Sequence, residues 1–467
     1  MSDLAVKAGV DEIAAPEPVS KNFSSTRNAC KLCAPLGACI VYRGVEGCVP
    51  LIHGSQGCST YIRRYGISHF REPIDIASSN FTESSAIFGG KENLVTAISN
   101  VTRQYAPRAI GVTSTCLSET IGEDVPRYMK MIEAERGDVA EPVLFYSSTA
   151  SYRGTHMDGF HEAILSVVTK LAKKSGGARH RVNLVPGFVS AEDLREFREI
   201  LGSFGVDYTM LPDYSETLDG GSWETYQKLP DGGTKLRDVE KMGDSAGTIY
   251  LGKSVSDAHC AGAWLEGEYG VPSRKLDLPI GIANTDAFFS ALEEITGRPK
   301  PDTWLRVRGR VIDAYIDGHK YCSGKKAVVY GEEDFTVAMA SFLAEIGVVP
   351  VIVATGAKSA SFRARVLEAV SGVARGIDVL DDADFATMLE RAKVIEPDFV
   401  IGSSKGYYLA RNLDVPLVRC GFPIHDRMGG HRILHVGYRG TLNLFDLICN
   451  ALMQDKQQAA KSGWTYI

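Results

Sequence analysis

Six of the chain's ten cysteines fall between residues 30 and 124: Cys30, Cys33, Cys39, Cys48, Cys58 and Cys116. Three of them sit among Gly, Pro and Ser residues that read as turns. Cys33 precedes Ala-Pro-Leu-Gly, Cys58 closes His-Gly-Ser-Gln-Gly-Cys, and Cys116 lies inside Thr-Ser-Thr-Cys-Leu-Ser. Thiolates on turns, with small neighbours that let backbone N–H groups approach sulfur, form the donor set of an iron–sulfur cluster. The same residues also read as buried structural thiols, the commoner fate of a free cysteine. Spacing alone leaves both readings open, because the compact ferredoxin run of cysteines is absent. Cys39 and Cys48 lie in apolar surroundings and read as core thiols. Cys30 and Cys33 make a Cys-x-x-Cys pair, but no second pair exists to complete a zinc site. Cys260, Cys322, Cys420 and Cys449 are scattered and read as structural.

The elements that must position these residues alternate. Residues 92–105 carry apolar side chains at helical spacing, and Pro107 lies just beyond. The β-rich run 109–116 delivers Cys116 at its end, the usual place for a site in a parallel α/β sheet. A helix over 125–137, a strand over 143–149 and a helix over 157–174 follow. Farther on, 181–187 reads as a strand, and 190–205 as a helix with Ser190 as N-cap and Asp193 three residues in. Strands are expected at 207–213, 247–254, 325–332, 348–356, 398–404 and 416–423, with helices over 334–347 and 441–454. The chain has 467 residues, more than one core usually organises. The pattern predicts parallel sheets in an α/β protein divided into a mobile arm over 1–25 and domains over 26–175, 176–315 and 316–467.

Composition narrows the function. With 44% hydrophobic and 23% charged residues the chain has an ordinary globular make-up. A net charge of −6 without a Lys/Arg run gives no nucleic-acid footprint. No apolar run reaches the ~20 residues of a membrane span, and residues 1–25 lack the apolar stretch of a signal peptide. The expected location is the reducing cytoplasm, where cysteines are thiols or metal ligands. Neither a GxxxxGK[ST] nor a GxGxxG motif is present, so the chain is not expected to bind ATP or a dinucleotide itself.

Five motifs occur in order: Cys-Ala-Pro-Leu-Gly-Ala (33–38), His-Gly-Ser-Gln-Gly-Cys (53–58), His-Phe-Arg-Glu-Pro (69–73), Ala-Ile-Phe-Gly-Gly (86–90) and Thr-Cys-Leu-Ser-Glu-Thr-Ile-Gly-Glu-Asp (115–124). Gly-Phe-Pro-Ile-His-Asp-Arg (421–427) and Gly-Tyr-Arg-Gly (437–440) follow near the end. In these motifs the chain resembles the β-type subunit of nitrogenase component 1 and its relatives, most strongly over residues 30–160. The resemblance implies three Rossmann-like βα domains and an α2β2 assembly with an α-type subunit. It also implies electron supply from an ATP-hydrolysing iron protein. Cys33, Cys58 and Cys116 match the positions that ligate one half of an [8Fe–7S] P-cluster at the subunit interface, a site that holds [4Fe–4S] in some relatives. Ser151 matches a serine that takes an iron when the cluster is oxidised; its alternative is an ordinary turn serine. Ser55 and His53 are expected to orient Cys58, and Tyr61 to lie near the cluster. Phe88 matches a surface position where the iron protein docks, against the alternative of a core phenylalanine. His69, Arg71 and Glu72 read as a structural charged knot.

The resemblance allows an enzyme or a scaffold. As an enzyme subunit, the chain would relay electrons to an active-site metal cofactor on its partner. As the small subunit of the cofactor-maturation scaffold, it would need only the first cysteine; all three are present. The tetrapyrrole-pathway reductase shares fewer of these motifs. The motifs resemble the molybdenum type, whose β subunit is expected to be longer at its N-terminus. This combination favours a methylthio-alkane reductase that cleaves C–S bonds, with dinitrogen reduction as the other outcome.

Overall fold

The structure is a computed structural model that describes residues 30–137, 142–177, 180–372 and 376–460. The expected arm over 1–25 lies outside them. The described chain builds three parallel sheets, each drawn from one stretch of sequence. The first has the order β2-β1-β3-β4, from β1 (Cys48–His53), β2 (Ala77–Ser78), β3 (Ala109–Ser114) and β4 (Val143–Ser147). The second has the order β6-β5-β7-β8, from β5 (Val182–Val185), β6 (Tyr208–Met210), β7 (Gly247–Leu251) and β8 (Ser273–Leu276). The third has the order β11-β10-β9-β12-β13, from β9 (Lys326–Gly331), β10 (Val349–Thr355), β11 (Asp378–Leu380), β12 (Phe399–Gly402) and β13 (Leu417–Arg419). The α/β class with parallel sheets is thus the one the alternation predicts. A helix over Asp302–Cys322 runs through residues 315 and 316, where the sequence placed a domain limit, and packs on the C-terminal helix Gly437–Ala459.

Strands of parallel sheets are covered on both faces, so they read as continuous apolar runs. In β1 every residue is buried. Its alternate side chains serve different cores. Cys48 and Ile52 join the largest apolar cluster, whereas Val49 and Leu51 join a smaller one with Leu94, Ile110 and Leu144. The largest cluster is continuous across all three sheets, linking Leu36 and Phe160 to Phe197, Phe288, Phe342 and Phe445.

Eight helices matter for the site or its supports: α1 (Ala34–Arg43), α2 (Gln56–Phe70), α3 (Glu83–Phe88), α4 (Lys91–Tyr105), α5 (Cys116–Thr120), α6 (Val125–Arg136), α7 (His156–Leu171) and α8 (Ala191–Ser203). α8 starts with the expected capping box: Ser190 Oγ accepts from the Asp193 N–H and Asp193 accepts from the Ser190 N–H. Asp193 is fully buried and also accepts from the backbone N–H groups of His435 and Val436. Burial alone would raise its pKa; the His435 ring and these donors outweigh that and hold it below the usual range.

The tightest helix contact is between α1 and α7, and it is made backbone to backbone. A Cβ on Gly37 would lie 1.7 Å from the His156 carbonyl oxygen, and one on Gly159 would lie 1.9 Å from the Ala34 carbonyl oxygen. Neither carbonyl can swing aside as a flexible side chain could. Gly37→Ala is therefore expected to cost about 1–3 kcal/mol through overpacking, read by denaturant unfolding of the metal-free chain. Unchanged stability would mean that α1 and α7 separate easily.

Candidate metal centre

The site lies at the carboxyl edge of the first sheet. The β1–β3 register pairs His53 with Ser114, so the loops after these strands emerge side by side. One leads into α2 and carries Cys58; the other starts α5 at Cys116. β3 pairs with β4 up to Thr113 and Ser147, and Ser151 follows four residues later. Cys33 comes from outside the sheet, as the N-cap of α1.

The three thiols therefore sit at helix starts, where the sequence placed them on loop turns. The turn reading came from Pro35 and Gly37. Pro35 occupies the first turn of α1, where its missing N–H costs nothing, and Gly37 serves the contact with α7. A helix start offers a thiolate unpaired N–H groups and a positive dipole end.

Ser151 ties two of these thiols together. Its backbone N–H donates to Cys116 Sγ at 3.2 Å, and its Oγ accepts from the Ala34 N–H at 3.1 Å. Burial pushes the Cys33 thiol up in pKa; a hydrogen bond from the Ser151 hydroxyl works the other way, and the neighbouring Cys116 and Cys58 raise it further. Cys58 and Cys116 thus lie within electrostatic reach of Cys33. Ser55, the N-cap residue of α2, makes no side-chain cap bond; its hydroxyl donates instead to Cys58 Sγ at 3.6 Å. Tyr61 stands next to Tyr65 and within electrostatic reach of Cys33, and burial with these neighbours raises its pKa.

The other cysteines divide as the sequence suggested. Cys39, Cys48, Cys260, Cys322, Cys420 and Cys449 are buried. Cys30 packs near the third sheet, where burial pushes its thiol up to about 12. His53 does not touch Cys58. It is wholly buried, with Nδ1 on Ser79 Oγ at 3.1 Å and Nε2 3.6 Å from Glu123. Of the expected charged knot, His69 is buried with its Nδ1 accepting from the Ile424 N–H, and Arg71 donates to the His425 carbonyl. Phe88 ends α3 and is 87% exposed beside the exposed Ile87, so it is not a core residue.

Two supports escaped the sequence. Glu119, on α5, accepts from Ser114 Oγ at 2.5 Å, from Ser148 Oγ at 2.6 Å and from Tyr146 at 3.3 Å. It locks the helix that carries Cys116 to the ends of β3 and β4. Burial would raise its pKa, but these hydroxyls and Arg153 hold it below the usual carboxylate range. Lys405, from beyond β12, lies near Cys30 and Cys33 and reaches the Lys31 carbonyl at 3.4 Å. Glu119 was visible as a carboxylate in a motif of hydroxyl residues; Lys405 offered only its place after a strand.

Among the described residues, no three His, Cys, Asp or Glu side chains close on a single metal ion. Three thiols in one neighbourhood, bonded by Ser55 and Ser151, suit a polynuclear group that spans several ångströms. The description of nitrogenase component 1 type oxidoreductases matches residues 33–453, from the first of these thiols to the C-terminal helix. The chain belongs to this family. It is a β-type oxidoreductase subunit of it. It is 36% identical to the nitrogenase molybdenum-iron protein beta chain of Clostridium pasteurianum, over 94% of this chain and 96% of that one. Similarity to the nitrogenase vanadium-iron protein beta chain of Trichormus variabilis (strain ATCC 29413 / PCC 7937) is 34%, over 92% and 95%. A solved structure described as nitrogenase Cp1 at pH 6.5 superposes with a TM-score of 0.92 at 34% identity, covering 97% of this chain and 99% of that one. Nitrogenase β chains of molybdenum type therefore include ones matched almost end to end, and length does not separate substrate classes as the sequence reading supposed.

Ser151→Ala removes the acceptor of the Ala34 N–H and is expected to lower the stability of the metal-free chain by about 0.5–1.5 kcal/mol, with Ser151→Thr recovering most of it in the same unfolding assay. Glu119 contributes stability above the ordinary carboxylate range and loses it as pH falls through its depressed folded pKa. Glu119→Gln should therefore be less stable at neutral pH and lose less on acidification. Parallel melting curves against pH for variant and wild type would contradict the role given to Glu119.

Proposed function

We propose that this chain is the electron-relaying β-type subunit of a nitrogenase-like two-component reductase. Cys33, Cys58 and Cys116 hold one side of an iron–sulfur cluster, of [8Fe–7S] P-cluster type, shared with an α-type subunit in an α2β2 assembly. The observation that carries the reading is the convergence of three thiols, two of them bonded to Ser151, at a half-open surface. Cys116 is exposed, and Leu117, Tyr152 and Tyr61 present apolar area beside it. A surface of this kind is completed by another chain, which supplies the remaining ligands. When bound, the cluster stores and passes single electrons. The chain's own residues hold its thiolates, and the Ser151 hydroxyl stands ready beside Cys33 as an oxygen ligand for the oxidised form. The active-site metal cofactor belongs to the α-type subunit, and the electrons come from an ATP-hydrolysing iron protein in the cytoplasm.

The presence of all three thiols, together with a serine bonded to two of them, favours the relay over a maturation scaffold that needs one cysteine from this side. For the substrate, we infer C–S cleavage of methylthio-alkanes, with dinitrogen reduction as the competing outcome. Identity to molybdenum-iron β chains runs from 33% to 36% and to a vanadium-iron β chain is 34%, so identity does not choose between the metal types.

The test is anaerobic purification with the α-type subunit. Cys58→Ala should lose most of the interface iron by metal analysis while any cofactor on the partner remains. Full iron content would refute the ligand set. Wild type supplied with iron protein, ATP and dithionite should release ethylene from methylthio-ethanol and leave dinitrogen unreduced. The reverse would make it a nitrogenase, and neither activity together with cofactor transfer would make it a scaffold. Phe88→Ala should slow iron-protein-dependent turnover at unchanged iron content, since an exposed aromatic followed by two glycines suits a docking anchor.

A further inference from the structure

A second feature lies on the opposite side of Ser151. A cavity of about 510 Å³ opens where strands of all three sheets end. Its wall takes residues just after β4 (Ser148 to Glu162), β7 (Ser254 to His259), β9 (Gly331 to Glu333) and β10 (Thr355 to Ser359). The carboxyl ends of parallel strands are where α/β proteins bind ligands, and the volume is that of a small-molecule site.

The wall contains two unsatisfied imidazoles. His161 and His156 are 3% and 7% exposed. His161 Nδ1 is engaged with the Tyr250 hydroxyl at 2.7 Å, while its Nε2 has no partner; His156 Nδ1 has none either. Burial holds both rings neutral, pushing them down to about 4 and about 3. Tyr250 makes no other hydroxyl contact among the described residues, so its O–H donates to Nδ1 and His161 carries its proton on Nε2. A buried donor left without an acceptor is costly and points to a missing ligand.

The carboxylates on the wall are already committed. Asp158 accepts from Thr155, Glu162 pairs with His259, Glu333 accepts from Ser359 and Arg365, and Glu332 accepts from the Asp334 and Phe335 N–H groups, with burial pushing its carboxyl up to about 8. At the rim, the Lys31 and Lys358 ammonium groups share the single Asp382 carboxylate at 2.9 and 3.2 Å, leaving one positive charge uncompensated there. Buried donors inside and surplus positive charge at the mouth select a ligand with anionic oxygens.

We propose that this cavity binds a small organic oxyanion, a polycarboxylate or a phosphate ester, with His161 Nε2–H as the inner donor and Lys31 and Lys358 at the rim. The cavity shares Ser151, Ala34 and Cys30 with the neighbourhood of the thiols, but the proposal uses none of Cys33, Cys58 and Cys116 and does not rest on the cluster assignment.

Calorimetry on the chain purified with its partner subunit tests it, with tricarballylate, glycerol 3-phosphate and glycerol as probes. Saturable binding is expected for one or both anions and not for glycerol; the anion that binds more tightly identifies the source. His161→Leu should weaken it about tenfold, a loss of one hydrogen bond, and His161→Gln, which keeps a donor, should bind nearly as wild type. Lys358→Ala, at a side chain 72% exposed, should fold normally and reduce both affinity and its salt dependence. No saturable binding of either anion, equal binding of glycerol, or affinity unchanged in both His161→Leu and Lys358→Ala would overturn the proposal.

Discussion

The position of the candidate metal centre depends on one contact, the meeting of α1 and α7 without side chains between them. Gly37 against the His156 carbonyl and Gly159 against the Ala34 carbonyl bring two helix backbones as close as they can pack. α1 begins at Cys33, and α7 begins five residues after Ser151. The contact therefore sets the distance between the one thiol that does not come from the sheet and the serine that reads it. The other two thiols need no such device, because strand pairing places them. The β1–β3 register fixes where the loops of Cys58 and Cys116 leave the sheet, and Glu119 fastens the second of them to β3 and β4. Two kinds of constraint, sheet register and helix contact, converge at Ser151.

Much of this was legible in the sequence because it is local. Apolar runs bounded by polar turns marked most of the strands, though not β1, β2, β8 or β11, and Ser190 with Asp193 marked the start of α8 as it stands in the structure. The strand leading to Cys116 could be read directly, although it stops at Ser114 and Cys116 opens α5. What was not legible depends on contacts between distant segments. Ala-Pro-Leu-Gly looks like a turn because Pro and Gly favour turns. Only the arrival of α7, more than a hundred residues later, shows that Gly37 is there for packing. His53 sits five residues before Cys58 and was expected to orient it, yet the strand pleat turns its ring to Ser79 and Glu123. Lys405 approaches Cys30 and Cys33 from the third sheet, a pairing that no local pattern carries.

The motif resemblance did more than spacing could, because it compares whole ordered sets of residues. It placed the chain in its family before the fold was known, and the match over residues 33–453 agrees. Its weaker part was the inference from chain length to substrate. Length is a property of the ends, whereas substrate choice is made around the reacting atoms, and relatives matched over 96% of their length carry a molybdenum-iron name. The nearly equal identities to molybdenum-iron and vanadium-iron chains have a physical counterpart. In the role proposed for this subunit, that of an electron relay, its residues need not differ with the metal that consumes the electrons.

The electrostatics of the thiols explain why such a site suits shared occupancy. Burial disfavours a thiolate at Cys33, and its sulfur neighbours disfavour it further. One hydroxyl hydrogen bond and the nearby Lys405 oppose these effects without reversing them. Left alone, the protein keeps Cys33 protonated. A cationic metal core held by Cys33 would invert that balance, since it would stabilise the thiolate and release its proton. The half-exposed edge at Cys116, Leu117 and Tyr152 works in the same direction. Covering that edge removes water and strengthens each charge interaction within it. On the reading proposed above, metal loading and closure by a partner would favour one another at Cys33.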